Sequence, residues 1–531
     1  MTTSFRSKRV LRRPALRLGG AAALALAVTL TPHLAFGSPD ASSAQDAAKA
    51  GAANGRAATA GAVRAGGFLG VTFGFSDRTL EGRYENRTNP IYNLPMFEVD
   101  GDEAHFWDAY VEQLEASGVD FVAPTIRGSI PGKPQYNKGG DTTKLADLVA
   151  AIKRRGAHIK ISALDDIPAS LTDKKNLNKH NAGGYDPKFD LADKTGAGEG
   201  GYQYMWDYNL REFFQAVPAD MRFTMNGRPV IYEWSTSSSF FVNQGNGNSA
   251  ALLTYVKERA KAEFGVDPYF IVGDSWIKND PAVAEVADGV HGWFSMTEPY
   301  TVEPFKGSKF GTTVPAFHFS SDTTHMDIDP DHGKTFRKNL DATVGAGADI
   351  TLVEGFSDWS ENAATWRGRN DTYDKTRYDY PNQMINILRQ YSRNPFPKGQ
   401  RVEAEGADTF HDTTTGNINN LYRAGDIDIT RAGGSGYAVG STAAGEWLQW
   451  QEVPLSGTTA LKLRVSSATA GHRIRIDIDG KTGPTVTVPA TGGYGTYRTV
   501  PAGTYKLADN SRHTVRITFL DGGVNLDNWS N

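Results

Sequence analysis

From residue 66 to about residue 395 one pattern recurs: a short apolar run closing in polar or aromatic residues, then a stretch with helical spacing of apolar positions. The runs are Phe68–Phe75, Val119–Pro124, His158–Leu164, Pro229–Tyr232, Tyr269–Val272, Gly289–Phe294, Val314–Phe319 and Ile350–Val353. Between them the spacing predicts helices over Glu103–Ser117, Thr142–Arg155 with Asp141 as cap, Gly201–Ala216, Asn248–Phe264, Pro281–Val286, Thr335–Val344 and Tyr380–Tyr391. Strands that alternate with helices run parallel, and eight such units predict a (β/α)8 barrel of the TIM type over residues 66–395.

After Pro395-Phe396-Pro397-Lys398 the period changes. Short alternating runs follow, at Trp447–Trp450, Leu461–Val465, Arg473–Ile478, Thr485–Val488 and Thr514–Phe519, separated by turns rich in Gly, Thr and Asp. They predict a β-sandwich over residues 396–531. At the other end, Arg6 to Arg17 supply a basic segment, Leu18–Leu30 a short apolar run and Ala35-Phe36-Gly37 a small-x-small site. Residues 1–37 therefore read as a secretory signal peptide, too short and Ala/Gly-rich for a stable membrane span, and residues 38–65 as a disordered linker.

Composition narrows the chemistry. The 531 residues carry a net charge of −4, which offers no basic field for nucleic acid. With no cysteine there is no disulfide scaffold, zinc–thiolate site or thiol nucleophile. No Gly-x-Ser-x-Gly elbow, His-Glu-x-x-His helix or P-loop occurs.

Active sites in barrels of this kind sit at the carboxyl ends of the strands. Nearly every predicted strand ends in a charged residue, often beside an aromatic. The densest stretch is Asp349–Trp366, DITLVEGFSDWSENAATW, with Glu354, Asp358, Trp359 and Glu361 after a buried run. Unpaired carboxylates are costly in a core, whereas a pair of them is what glycosidic bond hydrolysis requires. Glu298 and Glu354 are the candidate attacking or assisting carboxylates, and Glu233, with Trp234 beside it, the candidate acid. Asp165, Asp166, Asp274, Trp234, Trp276, Trp293, Tyr300, His318, Asp358 and Trp359 are the candidate sugar contacts.

Two resemblances follow from these motifs. Ser357-Asp358-Trp359-Ser360-Glu361 is similar to the Asn-Glu-Trp-x-Glu run of the family 99-like and family 71-like retaining endo-acting glycoside hydrolases, and Thr297-Glu298-Pro299-Tyr300 is similar to a Glu-Pro-Tyr run of family 99. Asp stands for Glu and Ser for Asn in the first run. The C-terminal segment resembles a family 6 carbohydrate-binding module through Val402-Glu403-Ala404-Glu405, Gly445–Trp450, Thr491–Tyr497 and Val524–Trp529. That resemblance implies a structural Ca2+ on Glu403, Glu405 and Asp527, and a sugar site of Tyr437, Tyr494 and Asn525, with Tyr where the family usually has Trp.

The expectation is a secreted, monomeric glycoside hydrolase whose barrel cleaves a polysaccharide and whose sandwich holds it there, with no organic cofactor and no nucleic-acid or membrane partner. The alternative is a non-catalytic glycan-binding protein with a degenerate barrel.

Overall fold

In the computed structural model the described residues are 66–78, 80, 91–99, 102–126, 144–166, 189–194, 202, 205–234, 236, 241–292, 300–320, 325–433, 436–508 and 512–531. The central sheet has eleven strands among the described residues; the short Lys160–Ile161 and Thr224–Met225 pair to its side, and nine lie along its path: β1 (Phe68–Phe73), β2 (Phe121–Ile126), β3 (Ala163–Asp165), β4 (Arg228–Glu233), β5 (Tyr269–Gly273), β6 (Gly289–His291), β7 (Val302–Phe305), β8 (Ser308–Thr313) and, after a separate hairpin of β9 (Phe317–Ser320) and β10 (His325–Ile328), β11 (Ile350–Val353). Their order is β6-β5-β4-β3-β2-β1-β11-β8-β7, and every pairing along it is parallel except β7 with β8.

The sheet curls until its ends nearly meet. A Cβ on Gly289 of β6 would lie 2.7 Å from the Phe310 ring of β8, so the two strands face each other, yet no ladder joins them among the described residues. The result is a nearly closed, barrel-like sheet rather than a demonstrated TIM barrel. Its lumen is filled by alternate residues of the strands, Phe121, Ala123, Leu164, Val230, Tyr232, Tyr269, Ile271, Phe310, Ile350 and Leu352. Strand side chains alternate between faces, so the intervening residues look outward to the helices.

Those helices are α1 (Glu103–Ser117), α2 (Leu145–Arg155), α3 (Arg211–Ala216), α4 (Asn248–Phe264), α5 (Asp274–Asn279), α6 (Val283–Val286), α7 (Lys334–Ala342) and α8 (Gln383–Gln390). α1 starts where Asp102 Oδ1 accepts from the amides of Ala104 and His105, and stops at Gly118, whose φ of 71° closes the last turn. α2 begins at Leu145 with no side-chain cap, and Asp141 lies outside the described residues.

One expected strand is displaced. The barrel strand is Ser308–Thr313, not Val314–Phe319. It arrives through a hairpin whose turn, Lys306 (φ 47°) and Gly307 (φ 85°), has the two positive φ values that match strand twist. The alternation of KFGTTV, with Thr at buried positions, hides this strand from a hydrophobicity reading.

The C-terminal segment is a sandwich of two antiparallel sheets. Its strands are β12 (Arg401–Glu403), β13 (Thr409–His411), β14 (Ile429–Gly433), β15 (Gly436–Val439), β16 (Trp447–Val453), β17 (Gly457–Ser466), β18 (His472–Ile478), β19 (Thr485–Val488), β20 (Arg498–Leu507), β21 (His513–Phe519) and β22 (Asn525–Ser530). One sheet runs β14-β15-β22-β17-β20 with β12 on β22, and the other β13-β16-β21-β18-β19. Trp450 and Trp529 cross edge-on at 5.7 Å in the core between them.

Sandwich and barrel-like sheet belong to one compact unit. Arg337 of α7 forks onto Glu452 at 2.7 and 2.6 Å, and Asp408 accepts from Asn382 and Asn386 of the barrel side. Phe97 stacks on Tyr422 at 5.3 Å. Beneath this joint Arg367 is bound to Glu112, both buried, on the inner face of α1.

Candidate functional site

Parity decides what reaches the mouth of the barrel-like sheet. Glu354 continues the inward series Ile350, Leu352; Trp234 continues Val230, Tyr232; Asp166 follows Leu164; His291 follows Gly289. The turn carrying Glu354 is latched onto the end of β1. The Gly355 amide donates to Thr72 Oγ1 at 2.7 Å, Ser357 Oγ donates to Asp77 Oδ2 at 2.8 Å, and Trp359 Nε1 donates to the Asp77 carbonyl at 3.2 Å. Asp358 Oδ1 accepts from the Glu361 amide at 3.1 Å and from Ser360 Oγ at 2.9 Å, closing a single 3-10 turn, Trp359–Glu361.

Glu354 is 6% exposed. Burial pushes its carboxyl well above the ordinary value, and the charges of Glu361 and Asp358 push it further. The mouth thus holds a carboxyl that binds its proton more tightly than usual, beside the carboxyl groups of Asp358 and Glu361. His291 Nε2 lies 2.8 Å from the Glu233 carbonyl, which can only accept, so Nε2 carries the hydrogen. Burial lowers the imidazole to about 4, so it is neutral near pH 7.

The other expected carboxylates sit elsewhere. Glu233 and Asp165 are partners in the β3–β4 register and alternate with the lumen residues, so they point to the helix layer and not into the mouth. Asn209 Nδ2 donates to Asp165 Oδ1. Both Glu233 oxygens and Asp165 Oδ2 are buried without a hydrogen-bond partner. Burial, then mutual charge, raises Glu233 well above the usual range; burial, then Asp166, does the same to Asp165. Glu233 as an acid in the cleft, and Asp165 as a sugar contact, are therefore corrected by strand parity.

Trp276 and Trp359 are corrected as well. They are 1% and 0% exposed, and their indole N–H groups hold the backbone carbonyls of Trp234 and Asp77, supporting the rim from behind. Asp274 is exposed and paired with Lys278, and Tyr300 is buried. His318 does not end a barrel strand: it lies on β9, with Nδ1 3.1 Å from Asp327 Oδ1 and its ring 5.1 Å from Tyr92, and that hairpin rests on the Trp359–Glu361 turn. Glu298 and Trp293 lie outside the described residues. His291 is the site residue that sequence reasoning passed over, whereas Glu361 and Asp77 were read as strand-end carboxylates without an assigned role.

In the sandwich, Tyr494 is 49% exposed and its carbonyl is held by Ser466 Oγ at 2.7 Å and Asn525 Nδ2 at 3.4 Å. The Asn525 amide thus sits directly under the tyrosine's loop. Tyr437, at 5% exposure, is not a second free face, because it is turned toward His105 and Tyr422. Glu403, Glu405 and Asp527 are all buried. Burial raises Glu403 to about 7 and Glu405 well above its usual value, each also pushed by neighbouring carboxylates. Glu405 Oε2 has no partner, whereas Asp527 Oδ2 is taken by Arg464. Hard oxygen donors and an orphaned buried carboxylate oxygen suit calcium chemistry. Even so, no group of three or more Asp, Glu or His side chains is gathered as a metal centre among the described residues.

Residues 65–409 match a family described as a domain of unknown function, DUF5010. The chain belongs to this family. That description names neither a family 99 nor a family 71 glycoside hydrolase. In this DUF5010 protein residues 423–531, the greater part of the C-terminal sandwich, match the family 35 carbohydrate binding module. Among solved structures, the chain is similar to the C-terminal family 6 module of LamC, a marine laminarinase from Zobellia galactanivorans, at 24% identity over 25% of this chain and 97% of that one, with a TM-score of 0.21. The family 6 module of Cellvibrio mixtus lichenase 5A in complex with cellotriose is 25% identical over 25% of this chain and 96% of that one, TM-score 0.20. A family 43 arabinoxylan arabinofuranohydrolase from Bacillus subtilis is 24% identical over 25% of this chain and 27% of that one, TM-score 0.20. No curated protein matches the chain.

Proposed function

We propose that the protein is a secreted glycoside hydrolase acting on a polysaccharide held by its C-terminal module. The observation that carries this is Glu354: an inward-facing, buried carboxyl of raised pKa next to Asp358 and Glu361 at the strand ends. In this reading Glu354 gives its proton to the glycosidic oxygen, so the leaving sugar departs as an alcohol. Asp358 or Glu361 attacks the anomeric carbon or takes the proton of the attacking water. Glu298, on the segment between β6 and β7, is the other carboxylate to test in that role. Trp234 offers a wall for a sugar ring, and Asp166 serves its hydroxyls.

The module adds an effective-concentration gain by keeping the catalytic unit on its polymer through Tyr494 and Asn525. A calcium ion would be held by Glu403, Glu405 and Asp527, joining the first strand of the sandwich to its last. Glycan binding without catalysis is the second reading, favoured by the module match alone.

The deciding experiment is reducing-end release from a panel of glucans, mannans, galactans and arabinans by wild type, Glu354→Gln and Glu361→Gln. Release from one polymer, abolished in Glu354→Gln with polymer pull-down retained, is the expected result. Pull-down without release in the wild type establishes the binding protein instead.

A further inference from the structure

Between α1 and the sandwich lies a cleft of about 210 Å³ that uses neither the barrel mouth nor the exposed face of Tyr494. Phe97, His105 and Ala109 line it from the barrel side, and Asn420, Tyr422 and Tyr437 from the sandwich. Building on the glycan-binding reading of the module, we infer that this cleft binds one uncharged sugar ring, as a second glycan site made jointly by the two halves of the molecule.

The aromatic residues of the walls pack on one another, and the surface they leave to the cleft is more polar than apolar. Phe97 and Tyr422 stack at 5.3 Å with planes 11° apart, Tyr422 meets Tyr437 at 5.1 Å, and His105 meets Tyr437 at 5.7 Å. A lining rich in polar groups suits a ligand that presents hydroxyls in every direction, as a sugar ring does. The polar groups here are of both kinds that hydroxyls need: Glu98 accepts, Arg369 donates, and the Asn420 amide does both. The size is below the roughly 300–1,000 Å³ of pockets for drug-sized ligands, which leaves room for a single ring and not a chain. Charge argues for a neutral sugar, because Arg369 is already held by Asp371 at 3.1 and 3.0 Å.

The sandwich wall is built to stay in place. Asn417 ties the loop across itself, with Nδ2 donating to the carbonyls of Leu421 at 2.8 Å and Arg423 at 3.1 Å, and Oδ1 accepting from the Ile429 amide at 3.2 Å. Within it Asn420 (φ 49°) and Tyr422 (φ 64°) adopt the left-handed conformation. For a bulky aromatic residue that is a strained backbone, of the sort that surrounding structure maintains at ligand sites. The Tyr422 ring already lies flat on Phe97, so this wall needs no ordering when a ligand arrives.

The test is saturation-transfer NMR and titration calorimetry on the intact protein with methyl glycosides of glucose, galactose, mannose, xylose and arabinose. The variants are Ala109→Trp, which fills the cleft, the double change Arg369→Ala with Asn420→Ala, which removes its polar groups at the surface, and Tyr494→Ala. The expected result is at least one glycoside whose Kd rises tenfold or more in both cleft variants and stays within twofold in Tyr494→Ala. Binding that Tyr494→Ala abolishes and the cleft variants leave intact overturns the cleft while sparing the module. Absence of any glycoside binding in the wild type, with polymer pull-down retained, also overturns the cleft; loss of both overturns the glycan reading with it.

Discussion

Glu354 and Glu233 are two buried carboxyls with raised pKa values and opposite consequences. If Glu354 is the proposed proton donor, activity is expected to fall as pH rises through its elevated pKa; His291, lowered to about 4, is already neutral there and does not produce that limb. Glu354→Gln should cost about 10²–10⁴-fold in kcat/KM, the usual worth of a positioned proton donor, and flatten the alkaline limb of the pH–rate profile on an activated aryl glycoside. Glu233 reports on stability instead. Its folded-state pKa lies above its unfolded one, so the folded state binds the extra proton and stability drops as pH climbs from the unfolded value to the folded one. The melting temperature of Glu233→Gln minus that of wild type is therefore expected to become more positive between pH 4 and pH 8. A difference that is flat with pH would show that Glu233 does not carry this burden.

Within elements, close approach is what the barrel-like sheet depends on. A Cβ on Gly70 of β1 would stand 2.1 Å from the Phe121 ring of β2, inside the lumen. Gly70→Ala is expected to lower stability by about 1–3 kcal/mol through overpacking, measured by urea denaturation, whereas Gly156→Ala would meet nothing within 4 Å and suffer only the strain of its φ of 65°. The β9–β10 hairpin shows the same dependence on neighbours. Its His318–Asp327 pair, and Arg377 lying 4.0 Å over the Tyr92 ring, set it against the turn that carries Asp358 and Glu361.

For the whole molecule, the joint between barrel-like sheet and sandwich is held by buried charge. Burial alone would raise Glu112, but Arg367 outweighs it and keeps the carboxyl low. Glu112→Gln leaves the Arg367 guanidinium without its counter-charge and should cost about 3–5 kcal/mol, seen as a loss of cooperative thermal unfolding of the two halves together. Chelation offers a second probe: if calcium sits on Glu403, Glu405 and Asp527, EDTA lowers the melting temperature of wild type and leaves that of Glu405→Gln unchanged.

Much of this was legible in the chain. Hydrophobic period alone separates the α/β segment from the sandwich, because a period near 3.6 and a period of 2 are local properties of a few neighbouring residues. It also placed α1 at its observed bounds, since Asp102 and Gly118 are local start and stop signals. The stretch from Glu354 to Glu361 was visible for the same reason: carboxylates after a buried run are costly wherever they fold. Other features required three dimensions. Which face of β4 holds Glu233 depends on lumen closure by distant strands; Thr-rich Ser308–Thr313 becomes a strand only by pairing with Ile350–Val353. Tyr437 and Tyr494 look alike in sequence, yet one is covered by His105 from more than 300 residues away and the other meets solvent. Local pattern determines what an element is, whereas long-range packing decides which of its side chains water and ligands can reach.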